Sequence, residues 1–225
     1  MRFVLLPGAG GAGWIWSRVV PLLEKAGHEA VAVDLPADDP DAGIPEYTEL
    51  VLAACDAGEV LLVAQSLGGF TAPVVAQRLV DEGRPPLGIV LVNAMVPRPG
   101  ETPGEWWEAV GQEGARLEAA RAGGWTEGVD LEAYFLHDVD PAVAAEGEQH
   151  QRDEAEIVFT TPCAIEAWPD VPTKVIAGAD DRFFPLSLQQ RVARERLGVE
   201  PTVVPGGHLV ALSQPAAVAE ALLTA

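Results

Sequence analysis

The chain has 225 residues, of which 48% are hydrophobic, and carries a net charge of −20 from 34 acidic against 14 basic residues. That length suits one domain with an inserted subdomain, and the apolar fraction suffices for a full core. The charge argues against a nucleic-acid partner, since phosphate binding needs a positive surface, and reads as a solvated exterior rather than adaptation to high salt.

In chain order, the first element is an apolar strand over 2–6 that runs into PGAGGAG. Gly8, Gly10 and Gly13 spell G-x-G-x-x-G, and Asp34 ends the next strand, which together nearly reproduce the dinucleotide-binding fingerprint. Pro7 stiffens the entrance, and the bulky Trp14-Ile15-Trp16 follows the third glycine where that fingerprint needs close helix–strand packing. The nucleotide reading is therefore disfavoured, and Asp34 is expected to be structural.

Further strands are expected at 30–33, 60–64, 88–92, 174–177 and 201–204, with helices at about 15–25, 47–57, 67–82, 187–197 and 210–223. Pro73 falls inside the third helical pattern. The strands are continuous apolar runs, as in parallel strands covered on both faces. Their alternation with helices predicts an α/β fold: an open, mostly parallel six-stranded sheet with helices on both faces. Residues 96–170 break the rhythm, being acidic, helix-like and rich in Trp and other aromatics. They are expected to form a helical lid over the carboxyl edge of a core made of 1–95 and 171–225.

Ligands of an open parallel sheet bind beyond the carboxyl ends of its strands, so residues that directly follow strands are the candidates for chemistry. Ala64-Gln65-Ser66-Leu67-Gly68 after the third strand is a small-x-Ser-x-Gly nucleophile elbow, although a serine N-cap would look similar. The acidic turn Gly178-Ala179-Asp180-Asp181 follows the fifth strand, and His208 follows the sixth. A serine needs a base to take its proton, and an imidazole needs a carboxylate to set its tautomer. His28 precedes its strand, and His137 and His150 belong to the insertion, which leaves His208 as the base for Ser66. Either aspartate of the turn could serve as the acid.

The stretches LPGAGGAGWIWSRVVPLLEKAGHEAVAVDLP, VAQSLGGF, LVNAMVPRPGE, VIAGADDRFFP and PGGHLVALSQP resemble the α/β-hydrolase superfamily over essentially the whole chain. The resemblance is to the small plant-type methylesterase and hydroxynitrile-lyase branch and its bacterial esterase relatives. It implies an α/β-hydrolase fold without the antiparallel strands that open larger members. It also implies that Asp181, fourth in a G-x-x-D turn, is the acid, with Asp180 the alternative. The glycine loop would supply one oxyanion-hole N–H, from Ala9 or Gly10, and Leu67 the other. The chain departs from the family in Pro7-Gly8, where members often have His-Gly, and in Ala64 for the first glycine of the elbow.

The expected activity is cleavage of a small ester, thioester or lactone with an apolar part, through an acyl-enzyme and with no metal or organic cofactor. Gly10, Trp106, Trp107, Trp125 and Phe135 are the expected substrate-binding residues. A lyase of this branch would place a lysine near the triad, and the chain has only Lys25 and Lys174, neither well placed. A small-molecule receptor or carrier is the other alternative. Cys55 and Cys163 are expected to be separate buried thiols. The apolar run after Met1-Arg2 is too short for a signal-peptide core and none is long enough to span a bilayer, so a cytoplasmic protein is expected. No motif specifies an oligomeric state.

Overall fold

The computed structural model describes residues 1–55 and 58–225. Six strands form one sheet, β1 (Arg2–Leu6), β2 (Glu29–Ala32), β3 (Val60–Gln65), β4 (Gly88–Val92), β5 (Thr173–Gly178) and β6 (Thr202–Val204), in the order β2-β1-β3-β4-β5-β6. Every neighbouring pair is parallel, with Leu6 opposite Ala64 and Gln65 opposite Val92.

Side chains alternate across a strand, so a continuous apolar run feeds two cores at once. Val4, Leu62, Ala64 and Leu91 face one core, whereas Phe3, Leu5, Val63 and Val90 face the other. Helices α2 (Ile44–Ala54), α3 (Gly68–Asp81) and α8 (Leu186–Leu197) cover the first face. Helices α1 (Val20–Lys25), α9 (Val210–Ser213) and α10 (Pro215–Leu223) cover the second. Between β4 and β5 the described residues contain no strand and carry α4 (Pro103–Ala109), α5 (Gln112–Gly123), a π-helical turn (Glu132–Leu136), α6 (Pro141–Gly147) and α7 (Glu156–Thr160).

Two expected helices are each divided. The first is a 3-10 turn (Gly13–Trp16) followed by α1, and the last breaks into α9 and α10. The cause is proline: Pro21 and Pro215 stand in the first turn of α1 and α10, where a missing N–H costs nothing, and would clash one turn further in. Pro73 nevertheless stays inside α3. Helix α2 begins three residues before the expected 47, since Pro45 suits its first turn and Glu46 accepts the Gly43 N–H at 2.8 Å. Its expected last two residues, Asp56 and Ala57, lie outside the described residues.

Candidate active site

The strand order turns about β1 and β3, since β2 lies on one side of β1 and β3 on the other. A crevice is expected outside the carboxyl ends of those two strands. The glycine loop leaves β1 there, and Ser66 leaves β3 there.

Ser66 has φ +50°, a left-handed conformation that a non-glycine residue adopts only when its surroundings hold it. The elbow is held by tight neighbours and by hydrogen bonds. A Cβ on Gly69 would overlap the Met95 carbonyl oxygen, so only glycine lets the start of α3 pass that close to the loop after β4. The Ser66 carbonyl accepts from Met95 N–H at 2.9 Å and from Gly69 N–H at 3.1 Å.

Ser66 Oγ lies 3.0 Å from His208 Nε2, and His208 Nδ1 lies 2.9 Å from Asp181 Oδ2. An ionised carboxylate can only accept, so Nδ1 carries the proton and Nε2 is left to accept the Ser66 hydroxyl. Asp181 is fixed by three more donors: the N–H groups of Phe183 (2.9 Å) and Phe184 (2.8 Å) to Oδ1, and Gln189 Nε2 (3.2 Å) to Oδ2. His208 is 2% exposed and Asp181 4%, so bulk water does not compete for this chain of contacts. Such a chain can take a proton from the serine and balance the charge that follows. Asp180 points elsewhere, with its Oδ2 accepting the Gly206 N–H at 3.1 Å.

The loop that carries His208 is tied down by residues that no sequence motif marks. Asn93, fully buried at the end of β4 with φ +45°, donates to the carbonyls of Gly207 (2.8 Å) and His208 (3.1 Å). Its Oδ1 accepts the Gly178 N–H at 2.6 Å. From the insertion, Asp138 accepts the Gly207 N–H at 2.6 Å. Asn93 follows a strand exactly as Ser66 does, and that position was its signal in the sequence.

Ser66 and His208 open into a cavity of about 720 Å³ whose lining also includes Ala9, Gly10, Leu67, Trp107 and Phe135. Among the described residues no acceptor stands against the N–H of Ala9 or of Leu67, so both remain available to a bound oxygen. The Gly10 N–H is not available, because Glu154 Oε2 accepts it at 2.7 Å. The other oxygen of Glu154 accepts the Tyr47 hydroxyl at 2.7 Å. Burial pushes the Glu154 carboxyl above its ordinary range against the pull of these bonds and of Arg152. Burial and the neighbouring Glu154 push the Tyr47 phenol upward as well.

Two expected substrate contacts are corrected. Trp106 is 1% exposed and stands in the core against Phe184, donating its indole N–H to the Val96 carbonyl at 3.1 Å. Trp125 is not part of the cavity lining, and its ring lies under the Arg182 guanidinium, 4.6 Å away. Trp106 lies on α4 and Trp125 just beyond α5, and no sequence motif sets how either element docks. Trp107 and Phe135 do reach the cavity, and the Phe135 ring meets the His208 ring edge to face at 5.4 Å. Asp34 accepts the Gly13 N–H at 2.9 Å, so it folds the glycine loop onto the end of β2. Neither lysine lines the cavity, and Lys174 donates to the Thr224 carbonyl at 3.1 Å. Among the described residues, no group of three or more His, Cys, Asp or Glu could hold a metal ion, and no helix is long and apolar enough to cross a membrane. Cys55 and Cys163 are both buried, and burial pushes the Cys163 thiol up to about 12.

A family model described as the alpha/beta hydrolase family matches residues 3–221. A pyrethroid hydrolase from Sphingobium wenxiniae is 27% identical over 246 aligned positions, spanning 97% of this chain and 85% of that protein. Methylesterase 3 of Arabidopsis thaliana is 31% identical over 128 residues, 51% of this chain and 47% of that protein. The crystal structure of polyneuridine aldehyde esterase superposes with a TM-score of 0.79 over 99% of this chain and 98% of that one, at 19% identity, which is a likeness of fold. A match running from the first strand to the last helix, on a sheet of this order, means that the chain belongs to the alpha/beta hydrolase family.

Proposed function

We propose that the protein hydrolyses a carboxylic ester, thioester or lactone with an apolar part, through an acyl-enzyme on Ser66. The observation that carries this reading is the hydrogen-bonded series Ser66–His208–Asp181 opening into a largely apolar cavity. Ser66 Oγ attacks the carbonyl carbon while His208 Nε2 takes its proton. His208 then returns that proton to the leaving oxygen or sulfur as the acyl-enzyme forms. Water, deprotonated by the same imidazole, releases the acid and restores the serine. Asp181 holds the imidazole in the tautomer this needs and balances the imidazolium. The N–H groups of Ala9 and Leu67 receive the oxyanion, as their lack of other acceptors supports.

The insertion, residues 96–170, acts as a lid over this site. Its Trp107 and Phe135 form part of the apolar wall that excludes water and accepts the apolar part of the substrate. The names of two relatives, a pyrethroid hydrolase and a methylesterase, support hydrolysis as the reaction and an ester as the substrate class.

The test is turnover of p-nitrophenyl esters of increasing acyl length by the wild type and by Ser66→Ala. Intact mass is measured on both after exposure to a fluorophosphonate. The variant is expected to lose about 10⁴-fold or more of kcat/KM and to form no adduct, with its thermal midpoint unchanged. A folded Ser66→Ala that still turns over esters at the wild-type rate refutes the role of Ser66. A wild type with neither adduct nor turnover would favour a receptor or carrier instead.

A further inference from the structure

The loop after β1 presents a physical problem. It places Gly8, Gly10 and Gly11 within four residues, and glycines leave a backbone free to adopt many conformations. An oxyanion donor must nevertheless be held still, because it contributes only when it is already aimed at the place where charge develops. A bond within the loop and two to the segment after β2 hold its flanks. Gly11 N–H bonds to the Gly8 carbonyl at 3.1 Å, Leu35 N–H to the Gly11 carbonyl at 2.8 Å, and Gly13 N–H to Asp34. The Ala9–Gly10 peptide, in the middle, takes its hydrogen bond from outside the sheet, from Glu154 of the insertion.

We infer that Glu154 is a positioning residue for the oxyanion loop, holding the Gly10 N–H so that the neighbouring Ala9 N–H faces the reacting carbonyl. A peptide group is planar, so fixing the direction of Gly10 N–H also fixes the Ala9 carbonyl, which points the opposite way. Glu154 and its chain neighbours are held at three points. Tyr47, buried on α2, bonds its second oxygen. Ala155 N–H bonds to the Ala37 carbonyl at 2.7 Å, and Arg152 pairs with Asp34 at 3.3 Å. Gly10 has φ +84°, which favours glycine, and a Cβ there would stand 3.0 Å from the Arg152 carbonyl oxygen, so the strap passes the loop at close range. The loop and the strap are therefore built for each other, although 144 residues separate Gly10 from Glu154.

The inference rests on the reading of Ala9 as an oxyanion donor, and its test separates the two. Glu154→Ala is expected to lower kcat for a p-nitrophenyl ester by about 10- to 100-fold with KM within about twofold, since the lost alignment matters mainly in the transition state. Glu154→Gln, whose amide oxygen still accepts the Gly10 N–H, is expected to stay within about threefold of the wild type. Exchange of the Gly10 amide proton, followed by NMR on ¹⁵N-glycine-labelled protein, reports the contact without any turnover. It is expected to be slow in the wild type and in Glu154→Gln and fast in Glu154→Ala. Equal exchange in all three, or a Glu154→Ala kcat within twofold of wild type, overturns the inference while leaving the hydrolase reading intact. So does a Glu154→Gln as impaired as Glu154→Ala. A wild type without ester turnover ends the hydrolase reading and the catalytic half of this one, and Gly10 exchange then decides alone whether Glu154 holds the loop.

Discussion

The sheet and the insertion hold their residues in place by different means. In the sheet, every strand residue from Leu61 to Ala64 is buried against one of two apolar cores, and the backbone ladder sets the register. The insertion buries apolar residues such as Trp106 and Val158 as well, and adds polar ties. The buried Arg196–Glu101 ion pair fastens its start to α8, and Gln112 donates to the Phe183 carbonyl at 2.6 Å. Asp138 and Glu154 each accept a glycine N–H from a loop beside Ser66 and His208. The labour is divided between the two regions. The frame sets where Ser66, Asp181 and His208 emerge, and the insertion ties down the loops around them.

The strongest way to break that division is at the sheet edge. Asp181→Asn is expected to lower kcat/KM by about 10³- to 10⁴-fold, because the amide favours the wrong imidazole tautomer. Asp180→Asn keeps an acceptor for Gly206 and is expected to stay within about tenfold of wild type. Steady-state kinetics on both would refute the assignment of the acid if the order came out reversed.

The adjacent Trp106 and Trp107 stand where insertion meets core. Trp106→Ala is expected to cost about 3–5 kcal/mol in denaturant unfolding, as for a fully buried indole. Trp107→Ala is expected to cost less and to shift kcat/KM by about tenfold toward bulkier acyl groups, since its ring forms a cavity wall. An unchanged acyl preference in Trp107→Ala would remove that residue from the pocket.

The smallest expected effect concerns pH. Burial raises the Glu154 carboxyl above its ordinary value of 4.5, so the fold prefers its protonated form. Its contribution to stability is therefore fully present below the unfolded value and is lost as pH rises through the raised one. Glu154→Gln cannot ionise, and its thermal midpoint is expected to gain on the wild type as pH rises from 4.5 into the neutral range. A gap that narrows over that range contradicts the buried cost.

Much of this protein is legible in its sequence, for a definite reason. Continuous apolar runs mark strands covered on both faces, and a reactive residue directly after such a run must emerge at the carboxyl edge. Sequence position alone places Ser66 and His208 at that edge, and the G-x-x-D resemblance favours Asp181 over Asp180. What it lacks is any relation between residues far apart in the chain. The contact of Glu154 with Gly10, the tie of Asp138 to Gly207, and the separate fates of Trp106 and Trp107 depend on how the insertion docks. Local periodicity determines which face of a segment is apolar, whereas docking is decided by the summed fit of many side chains from different segments. Only the tertiary structure carries that sum.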